Sequence, residues 1–158
     1  MLGVKDYFAY CPTTGVVSWS EYAKGARCKA GVPVGTRDKN GYLVVKVKGT
    51  TWKVHRLIFL LMGETVPEVV DHINGVPDDN RWVNLRACSS VENAHNRRVH
   101  RNNTTGFKGV TLDRGNIRAQ ITVRGKHLSK SGFISLEEAH AWYTQQANKY
   151  HGEFARST

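Results

Sequence analysis

Residues 71–93 constrain this 158-residue chain more than any other stretch. Val69-Val70 reads as a strand running into Asp71-His72, and Asn74-Gly75 is a strong two-residue turn signal. A second strand then leads to Ser89-x-x-Glu92, a capping box that opens a helix bearing Asn93, Asn96 and Arg97. The segment is therefore strand, turn, strand, helix. It gathers a carboxylate, an imidazole and several carboxamides within a short length of chain.

Those residue types suit hydrolysis of a phosphodiester. Such a reaction needs a base to activate water, a cation to hold the scissile phosphate, and a group to orient the base. Magnesium prefers oxygen donors and keeps several waters, so one carboxylate and one amide oxygen suffice when phosphates complete the shell. Asp71 and Asn93 fit the two ligand roles. His72 can take the proton, because its ordinary pKa lies near neutrality. Asn84 can fix the hairpin and the imidazole. Adjacent strand residues point to opposite faces, so Asp71 and His72 share a site only where the strand ends or twists sharply. On spacing alone, a structural reading of these residues stands beside the catalytic one.

Upstream, Val16-Val17 and the alternating run Tyr42–Lys48 mark short strands, with a polar, basic, Gly-rich loop expected over residues 20–40. Val54 to Met62 is apolar nearly all round and stops at Gly63, as a buried helix does. His55 lies on that helix, either as a packed side chain or as a site contact.

Downstream, three strands are expected near 107–112, 117–124 and 126–133, followed by a helix from a second capping box, Ser135-x-x-Glu138. In the central strand Ile117, Ala119, Ile121 and Val123 alternate with Arg118, Gln120, Thr122 and Arg124. Ala139, Trp142, Tyr143, Ala147 and Tyr150 are available to cover the apolar face, leaving the polar face free. Residues 99–105 are polar and aperiodic, as a linker is.

Charge singles out the same region. Residues 97–134 hold nine Lys/Arg against the single acid Asp113, which is +8 of the whole chain's +10. Charge so concentrated among strand residues favours a polyanion partner. The expected contacts are Lys108, Arg114, Arg118, Gln120, Arg124, Lys126 and Lys130. Cys11, Cys28 and Cys88 are far apart with no C-x-x-C pair, so they read as buried free thiols in a reducing cytosol rather than a zinc site. The N-terminus lacks the apolar core of a signal peptide, and the apolar run Leu57–Met62 is too short for a bilayer.

The run V-V-D-H-I-N-G-V-P-D-D-N-R-W-V-N-L-R-A-C-S-S-V-E-N-A-H-N-R, with Gly41-Tyr42 and Val54-His55-Arg56-Leu57 ahead of it, resembles the HNH nucleases of the phage homing-endonuclease branch. The resemblance covers roughly residues 7–98. It implies a ββα-metal fold with Asp71 and Asn93 as ligands, His72 as general base and Asn84 as the middle, orienting member. Asn93 stands where many HNH enzymes have a histidine, which favours magnesium or manganese over zinc or nickel. Asn80, Asn96 and Arg97 are secondary candidates. Residues 105–155 resemble the Apetala-type, ethylene-response-factor DNA-binding domain, whose sheet enters the major groove. Ile117 stands where that family usually has Trp, so its base preference does not carry over.

The expectation is an α+β chain. An HNH nuclease domain with an N-terminal β extension spans 1–98, a linker 99–104, and a three-stranded antiparallel sheet on one helix 105–158. The expected activity is Mg2+- or Mn2+-dependent cleavage of double-stranded DNA by a monomer or weak dimer, in the cytoplasm of an infected host if phage-encoded. The alternative is a non-catalytic DNA-binding regulator that uses the HNH fold as a scaffold.

Overall fold

Alternation makes the first strands. Val45 and Val47 are buried on either side of exposed Lys46 in β4 (Leu43–Val47), which pairs antiparallel with β3 (Thr36–Arg37) and β5 (Thr50–Lys53). A separate ribbon joins β1 (Phe8–Tyr10) to β2 (Val17–Trp19). The segment 20–40, expected to be loop throughout, contributes β3 and a bridge from Pro33 to Ser18. Its polar composition hides a strand because β3 is only two residues long with both side chains exposed.

This computed structural model describes residues 3–25, 28–96, 99 and 102–156. Arg27, Arg97, Arg98 and Arg101 lie outside them. The chain divides into two compact units, Met1–Ser89 and Ser90–Thr158.

In the first unit, helix α1 (Val54–Leu61) buries Val54, His55, Leu57, Ile58 and Phe59. An element apolar on nearly every side must be surrounded. Its surroundings include Phe8, Val17, Val45, Val70 and Leu85. Strand β6 (Val69–His72) follows and pairs antiparallel with β7 (Leu85–Cys88), placing Asp71 opposite Arg86 and His72 opposite Leu85.

The second unit begins with α2 (Ser90–His95). Strands β8 (Val110–Asp113), β9 (Asn116–Val123) and β10 (Lys126–Ser131) form an antiparallel sheet with β9 in the centre. Helix α3 (Leu136–His151) packs on it through Ala139, Tyr143 and Ala147, against Val110, Ala119, Ile121 and Phe133. Ser135 Oγ accepts from the Glu138 amide at 3.1 Å, and the Glu138 carboxylate accepts from the Ile134 amide at 2.9 Å, one residue before the cap. Trp142 reaches this core at its edge, whereas Tyr150 points to solvent, 43% exposed. A Cβ at Gly109 would lie 2.2 Å from the Tyr143 ring, so that ring packs directly against bare backbone.

The cysteines are not all buried as expected: Cys11 is exposed, and Cys28 and Cys88 are half-buried free thiols. Among the described residues no helix is long and apolar enough to cross a membrane.

Candidate active site and nucleic-acid interface

Strand β6 ends at His72, and the chain turns at once, the Gly75 amide donating to the His72 carbonyl at 2.7 Å. Asp71 and His72 are consecutive, yet both are buried, at 5% and 4% exposure. Both residues still lie in the paired ladder, so burial of both means that the hairpin is covered on each face.

Asp71 lies on the cross-strand side with Arg86, whose Nε and Nη2 donate to its Oδ2 at 2.8 and 2.7 Å. His72 Nε2 lies 3.1 Å from Asn80 Oδ1. With the carboxamide oxygen accepting, Nε2 carries the proton and the basic lone pair belongs to Nδ1. Burial is the largest influence on this imidazole and lowers its pKa; the Asn80 bond and the Asp71, Asp79 and Asp78 charges oppose it. The ring is therefore neutral at physiological pH, the form a general base requires.

Two rings pack against it. His55 meets His72 edge-on with centroids 5.1 Å apart, and Tyr42 lies 5.8 Å from His72 and 5.1 Å from His55. Burial, followed by the neighbouring His72, drives the His55 pKa down to about 3. Lys53 Nζ sits over the Tyr42 ring at 4.7 Å.

The loop between β6 and β7 is held by Asn84. Its Oδ1 accepts from the Asn74 amide at 2.9 Å, and its Nδ2 donates to Asn74 Oδ1 at 3.0 Å and to the Asp79 carbonyl at 2.7 Å. Arg81 clamps Asp79, whose pKa falls to about 2 chiefly through that bond, and Arg37 reaches across from β3 to Asp78. Tyr10 donates to the Asn80 carbonyl at 2.8 Å, and burial raises its phenol to about 12.

The first unit thus brings His72 together with His55 and Asn80, while Asp71 is tied to Arg86 and Asn84 holds the loop. Asn93 and Asn96 belong to α2 and the turn after it, in the second unit, with Asn93 half-buried and Asn96 buried. Arg97 lies outside the described residues. Sequence reading did not single out Arg86 or Tyr42 as site residues. Arg86 was detectable, since a hairpin pairing His72 with Leu85 sets opposite charges face to face.

Asp71 is a buried carboxylate and Asn93 offers a carboxamide oxygen, both hard donors suited to magnesium or manganese. Among the described residues Asn80 Nδ2 and His55 Nδ1 are buried without a hydrogen-bond partner. Orphaned buried polar atoms are destabilising by about 1–3 kcal/mol each, and the amide N–H of Asn80 calls for an acceptor such as water rather than a cation. Among these residues the hard donor for a divalent ion in the first unit is the Asp71 carboxylate, whose Oδ2 is already held by Arg86.

On the second unit's sheet, Arg118, Gln120 and Thr122 are exposed on the face away from α3. Arg118 Nη2 donates to Ser129 Oγ at 2.8 Å, and His127 Nδ1 lies 3.2 Å from Gln120 Nε2 and 2.9 Å from Thr122 Oγ1. His127, not singled out in the sequence, is part of this row. Register places Lys126 opposite Val123 and Lys130 opposite Ala119, so both side chains fall on the other face. Lys130 Nζ rests 5.1 Å from the Phe133 ring. Lys108 is half-buried, donates to the His95 carbonyl at 2.6 Å, and is pulled down to about 8 by burial. Arg114 and Arg124 occupy hairpin tips at φ 48° and 49°.

The HNH endonuclease family matches residues 53–95, from the end of β5 through α2. The chain belongs to the HNH endonuclease family. Protein 3.8 of Escherichia phage T7 is 36% identical over 90 residues, spanning 55% of this chain and 73% of the relative. The solved HNH homing endonuclease I-HmuI, a structure of DNA binding and cleavage, is similar at 27% identity and a TM-score of 0.41, over 57% of this chain and 51% of that one. The chain thus spans about half the length of that structure.

Proposed function

We propose that this protein is a metal-dependent DNA endonuclease that cleaves phosphodiester bonds at the end of the β6–β7 hairpin. The observation that carries the reading is a buried, neutral imidazole beside a buried carboxylate, within the segment that matches the HNH family. His72 Nδ1 takes the proton from the attacking water, and Asn80 holds the ring through Nε2. His55 and Tyr42 wall the imidazole off from bulk solvent. Asn84 keeps the loop closed, so the ring and Asp71 keep their places. Asp71 would hold a magnesium or manganese ion, which when bound supplies charge neutralisation at the scissile phosphate.

The second unit supplies the DNA grip in this reading, as an Apetala-type module beginning near residue 105. Arg118 and Gln120 face base edges, because arginine pairs with guanine and glutamine with adenine. Arg114 and Arg124 hold phosphates from the hairpin tips.

The Arg86–Asp71 pair favours a second reading, a DNA-binding regulator in which this carboxylate only ties two strands together. Relaxation of supercoiled plasmid decides between them. Wild type should nick with Mg2+ or Mn2+ and stop with chelator, and His72→Ala should lose at least about a hundredfold in rate with unchanged DNA affinity. A wild type that binds DNA but never nicks it establishes the regulator.

A further inference from the structure

The first unit carries a second recess that the hairpin chemistry does not use. It has a volume of about 460 Å3 and is lined by Tyr7, Trp19, Tyr22, Lys24, Lys46 and Lys48 among others. Three aromatic rings and three ammonium groups share one concavity, and among the described residues no carboxylate lines it.

Two of the rings serve the core as well as the recess. Trp19 stacks on Phe8 with centroids 5.0 Å apart, and Tyr7 packs against the same cluster while Lys48 Nζ covers its ring at 4.9 Å. Tyr22 differs. It is 52% exposed, and a short turn closed by Ser20 presents it. A large ring placed there contributes little to folding.

The lysines are equally deliberate. Lys46 alternates with buried Val45 and Val47, so it stands on the outer side of β4. Lys48 adopts φ 48° at the tip of the β4–β5 hairpin, a conformation that asparagine or glycine would adopt more easily.

We infer that this recess binds an unpaired nucleotide of DNA, with the base stacked on Tyr22 and Trp19 and flanking phosphates on Lys24, Lys46 and Lys48. Base stacking on aromatic rings combined with a cationic track is the general recipe for single-stranded nucleic acid. The volume falls within the range of small-molecule pockets, so one base fits and a duplex does not. The ligand's source rests on the proposal that the protein acts on DNA; the recess itself is independent of the cleavage site.

The test is fluorescence anisotropy on the full chain in chelator, which removes cleavage from the readout. A fully paired duplex is compared with the same duplex carrying a single-thymidine bulge. Wild type should bind the bulged DNA about tenfold tighter. Tyr22→Ala should erase that preference and leave affinity for the paired duplex within about twofold, since its ring is outside the core. Tyr22→Phe should retain it. Lys24→Gln combined with Lys46→Gln should reduce the preference and flatten its salt dependence.

Equal binding of bulged and paired DNA by wild type overturns the inference, as does a preference that survives Tyr22→Ala. If thymidine monophosphate binds in a Tyr22-dependent way while the bulge confers nothing, the recess takes free nucleotides and the DNA source is rejected. Failure to bind even paired duplex counts instead against the DNA-acting reading as a whole.

Discussion

His55 shows how much a single buried imidazole constrains this protein. Its pKa is about 3 when folded and 6.5 at its ordinary value, so the unfolded chain binds the proton first as acid is added. The stability contributed by the neutral ring is complete above about pH 6.5 and is lost progressively as the pH falls toward the folded value. Going from about pH 7.5 to about pH 5.5 should cost about 1.4 kcal/mol through this residue alone. Urea unfolding at the two pH values measures it, and His55→Leu should show a smaller fall. A fall of the same size in that variant would shift the cause to other groups. At the same scale, Asp71→Asn should abolish metal-stimulated nicking, and wild-type activity in it would remove Asp71 as a ligand.

Elements make their own predictions. Gly109→Ala forces a Cβ to 2.2 Å from Tyr143 and 2.7 Å from the Gln120 carbonyl, at a positive φ of 71°. It should destabilise the second unit by roughly 2–4 kcal/mol, read as a lower melting temperature of that transition. Arg124→Asn at the β9–β10 tip should act in the opposite direction. Asparagine is more at ease at φ 49°, so the unit gains up to about 1 kcal/mol, while DNA binding loses about one unit of salt slope. A variant both more stable and as salt-sensitive as wild type would remove Arg124 from the phosphate contacts.

These elements also show what the sequence discloses. The apolar run in α1 and the Ile117–Val123 alternation announce themselves, because burial on one side writes a period into the chain. Lys126 and Lys130 were unreadable for the converse reason. Every residue of β10 is exposed, so no apolar alternation reports which side chains share a face, and only its register with β9 decides. Asp71 and His72 were recognisable as a pair by type. That Asn80 holds the imidazole and Arg86 the carboxylate depends on loop geometry and cross-strand register, which leave little trace in local composition.

At the scale of the whole molecule, the positive charge is concentrated in the second unit, which on the proposed reading grips DNA. Residues 97–134 carry most of the net charge of +10, and each phosphate neutralised releases counterions. Removing residues 105–158 should therefore weaken DNA binding and flatten its dependence on salt; an unchanged slope would locate the grip in the first unit. The lysine-lined recess predicts a residual slope rather than none.

The β1–β2 ribbon touches chemistry from outside it. Gly15 approaches so closely that a methyl group there would sit 2.6 Å from the Asn80 carbonyl carbon and 2.5 Å from the Arg81 nitrogen. Asn80 is the residue that steadies the imidazole. The N-terminal ribbon is thus no detachable ornament that recombination could exchange freely: a graft arriving with any larger residue at that contact would displace Asn80, and with it the His72 imidazole, while leaving both of those side chains in the gene.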